Sequence, residues 1–180
     1  MINIKKLHIG CGEKYIPGFT HIDARKFPHV DYVSSADKLD MFDDNSVDLI
    51  YSCHILEHFG RHEIEDVLKE WYRVLKPRGI LRLAVPDFDA IVKIYQKNRN
   101  LEEIYGLVMG GQNYEYNFHR SIFNFDYVSK LLKKVGFKKV YRYDWRKTIH
   151  KNYDDFSQAY LPHMDKEHGT LMSLNVEAEK

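Results

Sequence analysis

A short apolar run, Leu7-His8-Ile9, ends in Gly10-Cys11-Gly12. An apolar strand that runs into Gly-x-Gly can turn sharply, and its main chain stays approachable because no side chain stands in the way. In open α/β sheets, ligands sit beyond the carboxyl ends of strands at such a bend. Thr20 to Asp23 reads as a second short strand, ending in a carboxylate that can accept both hydrogen bonds of a ribose diol. The pair predicts a nucleoside site. Two pyrophosphate-type alternatives fail. A nicotinamide-dinucleotide fingerprint needs a third glycine three residues after the second, and Tyr15 stands there. Its acidic residue should lie about 20 residues on, whereas Asp23 follows Gly10 by only 13. A Walker-type loop fails because no Gly-Lys-Ser/Thr follows the bend.

The remaining periodicity predicts an α/β sheet. Val47 to Ser52 and Ile80 to Val85 are continuous apolar runs, as expected of parallel strands buried on both faces. Between them, Ile64, Val67, Leu68, Trp71 and Leu75 repeat at helical spacing, and Pro77 should stop that helix near Lys76. Asp87 can cap a second helix whose inner face carries Ile91, Ile94 and Tyr95. Val128, Leu131, Leu132 and Val135 form a third stripe, closed by Gly136. Tyr141, Tyr143 and Trp145 alternate with Val140, Arg142 and Asp144, a half-exposed strand. Met172, Leu174, Val176 and Ala178 alternate with polar residues, as in an antiparallel strand. Residues 110–124 and 147–170 read as long loops, and long loops in compact domains tend to carry function.

The 180 residues suit one domain, and no repeat or low-complexity tract divides them. A formal charge of +1 argues against a polybasic nucleic-acid binder. A hydrophobic fraction of 44% argues against disorder. Only Cys11 and Cys53 are present, too few for a disulfide framework, so a reducing cytoplasm is the expected compartment. No apolar run approaches the ~20 residues that span a bilayer, and Met1 to Lys6 lacks a signal-peptide stretch. Residues 126–151 hold nine Lys/Arg against two Asp. That stretch is expected to be a solvated face, balanced by the acidic 31–48 region, rather than an anion site.

Several pieces occur in a telling order: Leu7-His8-Ile9-Gly10-Cys11-Gly12, Ile22-Asp23, Asn45 to Ile50, Leu56-Glu57-His58, and Arg73 to Gly79. This series resembles the class I S-adenosylmethionine-dependent methyltransferases, most of all a short bacterial branch with Pro-Gly (Pro17-Gly18) after the bend. The likeness runs from about Leu7 to Asp87 and continues more weakly through Gly111-Gln112, His119 and Gly136-Phe137. It implies a Rossmann-like, mostly parallel seven-stranded sheet, whose last strand is antiparallel and inserted between its neighbours. It also implies S-adenosylmethionine as cofactor. Gly10, Cys11 and Gly12 would pack on its methionine and sugar, and Asp23 would hold the ribose hydroxyls. The segment Ser35 to Leu39, with Ala36, Asp37 and Leu39, would line the adenine. Ser52, Cys53 and His54 would face the methyl group. Residues 1–87 would form the cofactor half, and 88–180 the substrate side with a C-terminal hairpin.

The sequence departs from the family pattern in several places. Ser35 stands where the family usually has Asp, which leaves Asp37 or main-chain groups for the adenine amine. Arg78 replaces a glycine, so Gly79 alone is expected to supply any positive φ in that turn. About ten residues join the first two strands, too few for a full crossover helix. The family's usual N-terminal covering helix is expected to be missing or very short.

Transfer of a methyl group to oxygen needs a base. His58, His119 and Asp87 are the candidates, with His54 one helical turn before His58. No Asn-Pro-Pro-Tyr-type motif follows the fourth strand; Ser52-Cys53-His54-Ile55 does. The acceptor is therefore expected to be a small molecule or a sugar-like hydroxyl, and neither nucleic acid nor membrane; the branch that the chain resembles often accompanies surface-polysaccharide synthesis, which implies a glycan precursor. A rival chemistry is zinc hydrolysis, since His54-Ile55-Leu56-Glu57-His58 matches an H-x-x-E-H grip that His62 extends. Gly60 interrupts the helix that grip needs, and the bend and Asp23 would be left without purpose, so no metal is expected. A methyltransferase-like subunit that binds without turnover is the other alternative.

Overall fold

The structure, a computed structural model, describes residues 4–180, so Met1 to Asn3 of the expected leaderless start lie outside it. Seven strands form one sheet: β1 (Lys6–Ile9), β2 (Thr20–Asp23), β3 (Tyr32–Val33), β4 (Val47–Cys53), β5 (Leu75–Pro86), β6 (Lys138–Arg142) and β9 (Ser173–Glu179). Their order is β3-β2-β1-β4-β5-β9-β6. The first five pair in parallel with one another, and β9 runs antiparallel to both β5 and β6. This is the expected Rossmann-like sheet with an inserted antiparallel last strand. A separate two-stranded ladder pairs β7 (Tyr160–Leu161) with β8 (Thr170–Leu171).

Four helices accompany the sheet: α1 (Ile64–Val74), α2 (Phe88–Asn98), α3 (Leu101–Met109) and α4 (Phe125–Val135). The stripe read for α1 is its buried face, except that Leu75 already belongs to β5. The helix cannot pass Lys76, which Pro77 pushes out of the helical region, and Leu75 is already extended at ψ 138°. Asp87 caps α2 by accepting the Asp89 amide, and Gly136 closes α4 at φ 121°. α1 and α4 cover one face of the sheet with a core built around Trp71, Leu68, Val128 and Leu132. The other face has no crossover helix between β1 and β2, as their short connection requires. Ile16 and Phe19 from that connection pack on Tyr51 and Ala84 instead. His150 adds its ring to Tyr51, and Asp155 accepts the Tyr51 hydroxyl at 2.5 Å.

Three expectations need correction. Gly79 does not supply the positive φ; Arg78 does, at φ 67°. Gly79 serves a close approach, since a Cβ there would come 2.8 Å from the Lys76 carbonyl oxygen. The strand expected at 140–145 sits two residues earlier, with a bulge between Lys138 and Tyr141, and Trp145 starts a single 3-10 turn capped by Asp144. The polar face of β9 is buried as well: Glu177 pairs with Arg82 at 2.6 Å, and Asn175 donates to the Ser157 carbonyl. The basic stretch is balanced by Glu65, Asp87, Asp144 and Glu179 rather than by residues 31–48.

Candidate active site

A cleft of about 1500 Å³ opens over the carboxyl ends of β1, β2 and β4. β1 and β4 flank the point where strand order reverses, the usual ligand position in such sheets. The volume exceeds the ~300–1,000 Å³ of single small-molecule pockets, so the cleft has room for two ligands.

One wall begins at the glycine bend. Gly10 and Gly12 both take positive φ, at 68° and 53°. A Cβ on Gly10 would overlap the Ile55 side chain, so only glycine lets the bend pass under the chain that leaves β4. The bend offers no free amide. Gly10 and Cys11 donate to the Ile22 carbonyl at 2.7 and 3.2 Å, and Gly12 donates to Asp23 Oδ2 at 2.7 Å. The other Asp23 oxygen accepts the Arg25 amide at 2.8 Å. An ionised carboxylate has about four acceptor positions, so Asp23 keeps capacity for two further donors.

Ala36 and Asp37 also line the cleft. Ala36 is held from behind, because the Trp71 indole donates to its carbonyl at 2.7 Å. Asp37 Oδ1 is buried without a hydrogen-bond partner. Leu39 lies behind this wall, fully buried, with its amide on Glu70 at 3.0 Å. Cys53 and His54 reach the cleft from the end of β4, and Ser52 does not. Ser52 is wholly buried with no partner for its hydroxyl. Burial pushes the Cys11 thiol up to about 12 and the Cys53 thiol well above its usual range, which keeps both protonated.

The floor is set by the chain after β4. His54 adopts the left-handed region at φ 55°, and a single 3-10 turn spans Leu56–His58. No α-helix runs through these residues, so the i, i+4 zinc grip of His54 and His58 does not form. Instead Glu57 turns inward. It is wholly buried, and neither carboxylate oxygen has a hydrogen-bond partner. Burial pushes its carboxyl up to about 8. His54 Nδ1 lies 3.4 Å from Glu57 Oε1, and His119 Nε2 lies 3.9 Å from it. The Glu57 carbonyl accepts the Arg120 and Ser121 amides at 2.8 and 3.1 Å, which brings the distant His119 onto the floor. His119 Nδ1 donates to the Leu107 carbonyl at 3.0 Å. The two ring nitrogens of His58 face the Phe118 and His54 carbonyls at 3.1 and 3.2 Å. Burial first, and neighbouring imidazoles second, lower His54 to about 3 and His119 to about 4.

Asp87 is not part of this cluster. Its carboxylate caps α2 and pairs with Arg142 at 3.0 Å, and it does not line the cleft. Sequence reasoning missed several wall residues. Arg25 lies over the Tyr114 ring, 4.3 Å from its centroid, and links the end of β2 to the 110–120 loop. Phe156 packs on His54 at 5.3 Å between ring centroids. The long loops were visible in the sequence, but nothing in their spacing singled out these residues.

A family model described as a methyltransferase domain matches residues 16–83, a span that starts just after the glycine bend. No curated protein sequence matches the chain. A SAM-dependent methyltransferase from Archaeoglobus fulgidus superposes with a TM-score of 0.60 at 14% identity, covering 98% of this chain and 86% of that one. A SAM-dependent methyltransferase from Thermotoga maritima gives a TM-score of 0.60 at 16% identity, over 98% and 82%. The 1,6-didemethyltoxoflavin-N1-methyltransferase of Burkholderia thailandensis, solved with S-adenosylhomocysteine, gives 0.58 at 13%, over 97% and 70%. At these identities the superpositions speak for the fold, while the domain match speaks for the sequence. The two agree over β2 to β5: residues 16–83 match a methyltransferase domain in sequence, and the chain as a whole has the fold of these S-adenosylmethionine-dependent methyltransferases.

Proposed function

We propose that this chain methylates an oxygen of a small, sugar-like hydroxyl acceptor, with the cofactor in the glycine-bend end of the cleft and the acceptor above Glu57, His58 and His119. The observation that carries the cofactor assignment is the commitment of all three bend amides to β2 and Asp23. Such a bend is useless to a pyrophosphate, which needs free N–H groups. It suits an uncharged ribose and a sulfonium, which need acceptors and close backbone approach. Gly10, Cys11 and Gly12 would pack on the methionyl and sugar part, and Asp23 would accept the ribose hydroxyls. The orphaned Asp37 oxygen would accept the adenine amine, beside Ala36. Cys53 and His54 would border the sulfonium. Leu39 and Ser52 would act only from behind the wall.

Bound S-adenosylmethionine supplies an electrophilic methyl carbon. The protein's part is to align the acceptor within about 3–3.5 Å of it and to take a proton. His119 is oriented for that second task. Its Nδ1 hydrogen is spent on the Leu107 carbonyl, so Nε2 keeps its lone pair. Its lowered proton affinity keeps it unprotonated at neutral pH. Tyr114, Tyr116 and Phe118 line the same cleft as partly exposed rings, a surface on which the C–H face of a sugar can stack. We read residues 1–180 as one working unit, with 1–87 holding the cofactor and most of 88–180 shaping the acceptor side.

The test pairs calorimetry with a transfer assay. S-adenosylhomocysteine is expected to bind, and methyl transfer from labelled cofactor is expected to hydroxyl-bearing sugars and not to amines. Transfer to amines alone would overturn the oxygen assignment, and absence of cofactor binding would overturn the whole reading.

A further inference from the structure

We infer that Glu57, His58 and His119 form a binding site for one divalent transition-metal ion on the floor of the cleft. One ligand atom from each of these three residues lies within 4.8 Å of the other two. Two histidines and one carboxylate are the donor set that first-row divalent ions favour, with positions left open for further oxygen ligands. The open side here is the cleft.

Three independent features support a cation there. The first is the state of Glu57. A buried carboxylate without hydrogen bonds or a charged partner is strongly disfavoured, and a bound cation removes that penalty. Both Glu57 oxygens are in that position, and no Lys or Arg pairs with them among the described residues. The second is the way the histidines are held. Metal-ligating histidines almost always donate their other ring N–H to a carboxylate, carbonyl or water. His119 does this through Nδ1 to Leu107, which leaves Nε2 toward Glu57. The third is His58, whose ring nitrogens both face main-chain carbonyls. A neutral imidazole has one N–H, so one of its nitrogens points a lone pair at an oxygen. A small movement onto a metal ion removes that conflict, while the other nitrogen keeps its carbonyl.

The site differs from the H-x-x-E-H grip that the sequence suggested. It recruits His119 from 61 residues after His58 and does not need an α-helix. His54 lies beside it, with Nδ1 at 3.4 Å from Glu57 and Nε2 near the Ser173 hydroxyl at 3.2 Å. The inference bears on the proposed function, since an ion on His119 Nε2 would occupy the lone pair given there to the proton and would take over that task by acidifying the acceptor hydroxyl, but the ion's binding does not require that reading.

The test titrates the chelator-stripped, full-length protein with Zn2+ by calorimetry and with Co2+ by visible absorption. One equivalent is expected to bind tightly, and Co2+ should show ligand-field bands of a nitrogen- and oxygen-ligated ion. His119→Ala and Glu57→Gln should each weaken the tight site at least tenfold, and His62→Ala and His163→Ala should leave it intact. If Glu57→Gln does not fold, the Co2+ spectrum of His119→Ala decides. No stoichiometric binding, or unchanged affinity in His119→Ala, overturns the site. S-adenosylhomocysteine titrated into the same samples separates the two ideas: metal without cofactor binding keeps this site and sinks the proposed function, and cofactor without metal binding does the reverse.

Discussion

Trp71 donates its indole N–H to the Ala36 carbonyl at 2.7 Å, and so fastens the buried face of α1 to a wall of the cleft. The contact joins core and site in one bond. Trp71→Phe keeps most of the apolar contact but leaves a buried carbonyl unpaired, at a cost of about 1–3 kcal/mol. A lower midpoint in urea is expected, together with weaker S-adenosylhomocysteine binding. A variant with unchanged cofactor affinity would show that the wall holds its shape without α1.

Asp23 binds the bend internally and keeps acceptor capacity for a ligand. Asp23→Ala removes both, and S-adenosylhomocysteine affinity should fall at least tenfold by calorimetry. Asp23→Asn keeps one acceptor oxygen but turns the other into a donor that meets a main-chain amide, so it should lose affinity too, though less than Asp23→Ala. Equal affinities in wild type and Asp23→Ala would refute the ribose role.

The bend itself is sensitive to a single carbon. Gly10→Ala places a Cβ against Ile55 at a φ of 68°. Overpacking of this kind costs about 1–3 kcal/mol, and the left-handed backbone adds to it. Adding Ile55→Ala removes the overlapping carbons and should recover part of the thermal midpoint, though not the backbone strain. A double variant no more stable than Gly10→Ala would place the whole cost in the backbone.

Acid should weaken the fold through His8 and His150. Both rings are buried against Tyr51, and burial lowers each to about 3. Their folded values lie below the unfolded 6.5, so the unfolded chain binds more protons as pH drops. The stability these groups contribute is complete above about pH 6.5 and is lost progressively toward pH 3. Thermal midpoints should fall over that window, and less steeply in His150→Leu. A profile unchanged by that substitution would exclude His150 from the effect.

Much of the sheet was legible because strands buried on both faces must be apolar without interruption, as in Val47 to Cys53 and Ile80 to Val85. β3 was invisible: it is two exposed residues, Tyr32 and Val33, held by their neighbour rather than by their own pattern. α3 escaped because only Ile104 is buried, so no stripe stands out. A different signal was available. Asn100 followed by Glu103 has the spacing of a helix start, and the Asn100 side chain does accept the Glu102 amide.

The candidate site divides the same way. Gly10, Gly12, Asp23 and His54 follow directly from strand ends, and strand ends are what periodicity locates. Asp87 has the right residue type in the wrong place, since its position at the end of β5 serves the helix that follows and Arg142. The partnership of Glu57 with His119 rests on main-chain bonds from a remote loop, and no local spacing encodes a contact across 62 residues.

The insertion of β9 between β5 and β6 has a consequence for synthesis. Leu83 faces Val176, and Arg82 meets its counter-ion only at Glu177. A nascent chain that has produced everything through α4 therefore carries an apolar strand edge with no mate. Closure waits until residue 179 has cleared the ribosome, and severing the polypeptide in its middle would yield two pieces that each lack half of a ladder.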